Sequence, residues 1–180
     1  MTHSRYSLTH SRDAGQSPSV PGGAATLTAD GASWYEPYLS VTMARVEVVR
    51  LQVHSSDCDP LGTAQHTSYF RWYDAASRIY FERCGLPPWR DLNETRGIIG
   101  TPLLEVASRF FAPLLPSDHF EIHTSIVRWE PKVFTQRHIV YRDGTCHAEG
   151  EEKRVFACRD PDTGRVRALT IPADILASCQ

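Results

Sequence analysis

Between Thr67 and Cys84 the chain carries no glycine or proline, and Gly85, Pro87 and Pro88 follow at once. That spacing predicts a helix of about 18 residues, roughly 27 Å long, stopped by its own C-terminal breakers. Tyr69, Phe70, Trp72, Tyr73, Ala76, Ile79, Tyr80 and Phe81 spread over more than one helical face. A helix this apolar must be covered on several sides, and a curved sheet is the natural cover.

The flanking sequence supplies the strands. Val46 to His54 ends in an alternation of Val49, Leu51 and Val53 with Arg50, Gln52 and His54, the period of a strand. After a short segment at Pro88 to Glu94, strands are expected over Ile98 to Phe111 with a break at Pro102, and over Phe120 to Trp129. Val133 to Arg142, Thr145 to Cys158 and Arg165 to Ile171 complete them, and Pro172-Ala173-Asp174 opens a brief final helix. Asp143-Gly144 predicts a tight hairpin, and the run from Asp160 to Gly164 a second turn. One strand, one long helix and then a meander give an α+β fold with an antiparallel sheet curled on the helix.

The turn before the helix is the candidate for chemistry. Asp57, Asp59, Pro60 and Gly62 oppose both strand and helix, so the helix starts just after them. Its first backbone N–H groups lack intrahelical acceptors and sit at the positive end of the helix dipole. A carboxylate beside such a cluster suits acyl transfer, with one group attacking or activating water and the other stabilising an oxyanion. The same Asp-x-Asp-Pro pattern also serves ordinary turns and caps. Cys58 is a poor nucleophile, because the two aspartates around it disfavour the thiolate.

Composition excludes other classes. With 180 residues and a net charge of -2, the chain fits one domain that needs neither metal nor disulfide, and its scattered Lys and Arg form no stripe for nucleic acid. No apolar run is long enough to span a membrane, and the N-terminus lacks a signal-peptide core. Five cysteines, none paired as C-x-x-C, fit a reducing compartment, so the cytoplasm is expected. Residues 1–44 are rich in Ser, Thr, Gly, Ala and Pro, with His3 and His10 expected in solvent. They read as a disordered extension before a domain at 45–180, and an alternative start at Met43 would explain the same boundary.

Several long blocks carry a family likeness. Asp57-Cys58-Asp59-Pro60, the helix segment Arg71 to Arg78, Cys84 to Arg90 and Gly97 to Pro102 closely resemble the Asp-dependent hotdog thioesterases that act on 4-hydroxybenzoyl-CoA. So do Gln136-Arg137-His138, Arg154 to Ala157, Arg167-Ala168-Leu169 and Pro172-Ala173-Asp174. The likeness runs from about Arg45 to the end. It implies a hotdog fold, a curved antiparallel sheet of five to six strands around one long helix. It also implies a homodimer or a dimer of dimers, with active sites between subunits.

By position, the resemblance implies that Asp59 is the catalytic carboxylate and that His66 offers its backbone N–H to the thioester oxygen. Trp89, Tyr73 and the stretch from Ile98 to Thr101 would surround an aryl ring. Asp74 would accept a hydrogen bond from a ring hydroxyl, or else be a surface carboxylate paired with Arg71 or Arg78. Thr101 would be a polar pocket contact or be bonded to backbone. Lys132, Arg165 and Arg167 would hold the phosphates of CoA, which is substrate and not cofactor; no cofactor or metal is expected. Glu130-Pro131 departs from the family, which has two basic residues there. The implied reaction is hydrolysis of 4-hydroxybenzoyl-CoA or a related hydroxy- or amino-benzoyl thioester. An aliphatic acyl-CoA or acyl-carrier-protein thioesterase, or a hotdog module that binds acyl-CoA without cleaving it, would share the fold.

Overall fold

The structure is a computed structural model that describes residues 44–160 and 162–180, so the expected N-terminal extension, Ala44 apart, lies outside the described residues. The aromatic run forms helix α1, His66–Arg83, one residue earlier at each end than its sequence signals place it. It ends as a Schellman motif. Gly85 takes φ +85°, and the N–H groups of Gly85 and Leu86 donate to the carbonyls of Glu82 and Phe81.

A five-stranded antiparallel sheet curls on α1. Its strands are β1 (Val46–Gln52), β3 (Leu103–Phe110), β4 (His119–Trp129), β5 (Val133–Arg142) and β6 (Thr145–Val155), in the order β1-β4-β5-β6-β3. The β5–β6 hairpin turns at Asp143 (φ 49°) and Gly144 (φ 76°), the two left-handed residues that match strand twist. The segment after Pro88 is a helix, α2 (Trp89–Arg96).

The last strand differs from expectation. It spans only Val166–Ala168 (β8) and joins β2 (Ile98–Gly100) and β7 (Ala157–Arg159) in a separate three-stranded sheet. The physical reason lies in where the next amides go: Leu169 still donates to the carbonyl of Phe156, in register with the β7–β8 pairing, but Ile171 donates to that of Pro131, so the chain has left the ladder by Ile171. Pro172 then starts α3 (Ala173–Ser178).

The core under α1 is not continuous. The N-terminal half of the helix, through Tyr69, Trp72, Tyr73 and Ala76, packs on Phe120, Ile122 and Val140. The C-terminal half, through Tyr80 and Phe81, packs on Phe134, Phe156 and Ile175. Between these two apolar clusters the inward positions of β4, β5 and β6 carry Thr124, Gln136, His138, Glu152 and Arg154, all buried. Each apolar side chain buried this way contributes about 1.5–3 kcal/mol. The polar layer must be held by its own hydrogen bonds, because an unpaired polar group in the same place would cost about as much.

Candidate active site

The loop from Asp57 to Gln65 is tied closed by backbone. Asp59 N–H donates to Thr63 O at 2.8 Å, Gly62 N–H to Asp59 O at 2.9 Å, and Gln65 N–H to Asp57 O at 2.9 Å. Its two aspartates do different work. Asp57 is buried and structural: its carboxylate accepts from the His54 N–H at 2.9 Å and from Arg71 Nη2 at 2.8 Å, and its carbonyl accepts from the Ser68 hydroxyl. Asp59 is half-buried. One carboxylate oxygen, Oδ1, accepts from the N–H groups of Leu61 (2.9 Å) and Thr63 (3.2 Å), and Oδ2 makes no hydrogen bond within the described residues. Burial, then the flanking Asp57 and Asp59, push the Cys58 thiol up, which keeps it protonated as the sequence predicts.

At the end of this loop α1 begins without a side-chain cap on Gln65. Ser68 N–H turns back to Gln65 O, while the N–H groups of His66 and Thr67 have no acceptor among the described residues. Of these two residues His66 lines a cavity of about 360 Å³, together with Thr63, Ala64, Tyr69 and the segment from Phe110 to Pro113. Asp59 is not a lining residue but is bonded twice to Thr63, which is. Burial pushes the Tyr69 hydroxyl up to about 12, so the wall stays neutral around neutral pH. A carboxylate fixed by backbone, unspent helix N–H donors and an aromatic wall are the components that acyl transfer requires.

The other site residues are placed elsewhere. Asp74 lies eight residues along α1 from His66, about 12 Å in rise and some 80° around the helix. Its partner is neither Arg71 nor Arg78 but Arg154 on β6, whose Nη2 donates to Asp74 Oδ1 at 2.9 Å. Arg71 is taken by Asp57. The Thr101 carbonyl accepts from Arg154 Nη1 at 2.9 Å, so Asp74 and Thr101 meet through one guanidinium. Tyr73 departs from the pocket role expected of it. Its ring is fully buried, stacked on His138 at 4.9 Å and 9°, with its hydroxyl 3.0 Å from Ser108 Oγ, so it is packing and not lining. Trp89 is half-buried at the start of α2, edge-on to Phe81 and tilted on Phe156. Lys132 and Arg165 are exposed, and Arg167 lies 3.6 Å from Asp160. The loop carrying Lys132 is joined to the chain after β8 by the Ile171 N–H to Pro131 O bond, and Glu130 beside it is exposed.

Arg154, Glu152 and His138 have roles that sequence reasoning missed. The His138 ring is fully buried, and this disfavours its charged form and lowers its pKa. Since Glu152 can only accept, the neutral ring donates from Nε2 to Glu152 Oε2 (3.2 Å) and accepts at Nδ1 from the Thr124 hydroxyl (2.9 Å). Burial opposes ionisation of Glu152, but His138 and Arg154 outweigh it and hold its carboxyl below the usual range. The signal was present in the alternation: Ala148, Gly150, Glu152 and Arg154 share one face of β6, so charges stood in phase with the core. No group of three or more His, Cys, Asp or Glu among the described residues is disposed to hold a metal. No helix among them is long and apolar enough to cross a membrane.

Comparison with known proteins bears on the family and the fold. The family model of the thioesterase-like superfamily matches residues 53–178. A 4-hydroxybenzoyl-CoA thioesterase of Pseudomonas sp. (strain CBS-3) is 41% identical over 142 residues, covering 76% of this chain and 99% of that one. The crystal structure of a 4-hydroxybenzoyl CoA thioesterase mutant complexed with 4-hydroxybenzoyl CoA matches at a TM-score of 0.72 with 39% identity, over 76% of this chain and 100% of that one. A gentisyl-coenzyme A thioesterase matches at 0.65 with 30% identity, over 74% and 100% of the two chains.

Proposed function

Because the chain belongs to the thioesterase-like superfamily, with the hotdog fold, we propose that it hydrolyses an aryl-CoA thioester, 4-hydroxybenzoyl-CoA or a close hydroxy- or amino-benzoyl relative, to the free acid and CoA. The observation that carries this is Asp59, held by the backbone of its own loop seven residues before the uncapped start of α1 at His66. In this reading the free N–H at His66 donates to the thioester oxygen as it gains charge. Asp59 either attacks the acyl carbon, giving a mixed anhydride that water opens, or takes a proton from an attacking water. The backbone donor is independent of the imidazole of His66. No metal or cofactor enters the reading.

Asp74, with Oδ1 on Arg154, has its second oxygen for a ring hydroxyl, and Thr101 stands beside it through the same arginine. Trp89 belongs to the same acyl end. Lys132, Arg165 and Arg167 are the cations for the phosphates of CoA, weakened by Asp160 next to Arg167 and by the exposed Glu130. Five free cysteines suit the cytoplasm.

The separation of His66 and Asp74 along α1 argues that one site draws them from two copies of the chain. β3 supports that pairing: it is a sheet edge whose Leu104 and Phe110, with Phe111 next to it, are about half exposed or more. A homodimer, or a dimer of dimers, covers that edge. Leu104→Asp should then lower both the mass measured by light scattering and the turnover.

The direct test is thiol release from benzoyl-, 4-hydroxybenzoyl-, 3-hydroxybenzoyl-, phenylacetyl- and hexanoyl-CoA, run beside Asp59→Asn. A preferred hydroxybenzoyl substrate and a loss of about 10³ in the variant support the reading. Turnover of none of the panel by the wild type, with binding retained, overturns it in favour of an acyl-CoA-binding module.

A further inference from the structure

Arg154 is a nearly buried cation in the layer between the two apolar clusters, and four of its hydrogen bonds reach three separate elements. Nε donates to Glu152 Oε2 at 2.9 Å and Nη2 to Glu152 Oε1 at 3.0 Å, both within β6. Nη2 also donates to Asp74 Oδ1 on α1 at 2.9 Å, and Nη1 to the Thr101 carbonyl between β2 and β3 at 2.9 Å. Glu152 is itself fixed from beneath by His138, which is bonded to Thr124 and stacked on Tyr73. A chain of buried bonds therefore runs from Thr124 on β4 to an exposed carboxylate on α1.

We propose that Arg154 is a positioning residue that sets selectivity for a hydroxylated aryl group: it fixes Asp74 by one oxygen, leaving the other aimed as an acceptor, and locks Thr101 beside it. The inference rests on the reading of Asp74 as the partner of the ring hydroxyl. Without Arg154, Asp74 would be an ordinary helix-surface carboxylate, free to change rotamer and to be solvated. A carboxylate held by one oxygen cannot turn away when a substrate lacks the hydroxyl. The unsubstituted ring then faces a fixed carboxylate oxygen left without a hydrogen-bond donor, which is how a site built to hydrogen-bond a substrate rejects the analogue without that group. The planar fork of arginine is required because the four bonds diverge toward β6, α1 and the β2–β3 link; a lysine ammonium presents one centre.

The readout is the ratio of kcat/KM for 4-hydroxybenzoyl-CoA to that for benzoyl-CoA. It is measured for the wild type, Asp74→Asn, Arg154→Lys and the charge-balanced double variant Glu152→Gln/Arg154→Gln. Asp74→Asn should lower the ratio about tenfold or more. The double variant should lower it comparably, Arg154→Lys by less, and adding Asp74→Asn to the double variant should lower it no further. If Asp74→Asn collapses the ratio while the Arg154 variants lose both substrates in equal proportion, Arg154 is only structural. The positioning inference is then overturned and the reading of Asp74 stands. If Asp74→Asn leaves the ratio unchanged, that reading fails and the inference fails with it. Should the double variant not fold, the ratio for Arg154→Lys decides alone.

Discussion

Asp59 and Asp74 are two carboxylates associated with the same helix, yet they are held by opposite means. Asp59 is fixed by main-chain donors two and four residues ahead of it, although the start of the same loop at Asp57 is also tied by the Arg71 and Ser68 side chains. Asp74 is fixed by the side chain of Arg154, eighty residues away in sequence, and through it by a buried stack of other side chains. The donors of the first arrangement do not depend on the side chains of Leu61 and Thr63 that carry them. The second fails if any member of the layer is removed. If Asp59 carries the reaction and Asp74 the acyl selectivity, as proposed, the first can stay constant while the second varies with substitutions in the sheet.

The largest effect expected from breaking the second arrangement is on folding. Glu152→Ala leaves Arg154 nearly buried without its main counter-charge, and should destabilise by about 3–5 kcal/mol, read as a shift of the urea midpoint. Asp59→Asn should do the reverse. The amide oxygen of Asn can accept from the same Leu61 and Thr63 N–H groups, so stability should stay within about 0.5 kcal/mol of wild type. Turnover, by contrast, should fall about 10³-fold, some 4 kcal/mol of barrier. Equal loss of stability in the two variants would erase the distinction drawn between the loop and the layer.

Gly150→Ala is a smaller probe of the layer's packing. A Cβ there would lie 2.7 Å from Cζ of the fully buried Tyr73, so the ring that caps His138 would have to shift. Overpacking of this kind costs about 1–3 kcal/mol. The loss should appear as a lower Tm with little change in thiol release per folded molecule, because Tyr73 packs and does not line the cavity.

The same contrast explains what was legible in the sequence. The Asp59 loop, the helix start, the Gly85 stop and the Asp143-Gly144 hairpin are local: the residues that make them sit within a few positions of one another, so their types and spacing carry the information. The ionic partner of Asp74 was not legible. Local spacing offers Arg71 and Arg78, and only the topology, which brings β6 under the middle of α1, supplies Arg154. Tyr73 was misread for a related cause. An aromatic on an apolar helix is assigned to core or pocket only once the sheet opposite is known, and here Gly150 leaves the hollow that takes it. The small second sheet was invisible because β7 separates from β6 at Phe156 and pairs instead with β2 and β8, which no residue pattern marks.

A pH titration of stability tests the layer without mutating it. His138 has a pKa lowered from 6.5 because burial opposes its charged form. Below about pH 6.5 the unfolded chain therefore takes up a proton that the folded chain refuses, and stability falls as pH falls, with a slope of at most about 1.4 kcal/mol per pH unit for one proton. Glu152 has a pKa lowered from 4.5, so its contribution is present above that value and is lost on further acidification through the folded pKa. Urea midpoints should thus decline from pH 7 to 5 and more steeply below. In His138→Asn the first decline should vanish and the second remain, though the variant starts from a lower midpoint. Retention of the full slope between pH 6.5 and 5 in that variant would show that the slope belongs to another group and that the folded ring takes up its proton as readily as the unfolded one. Below that pH range Glu152 would then face a cation on both sides, and the neutral tautomer would order the layer only above it.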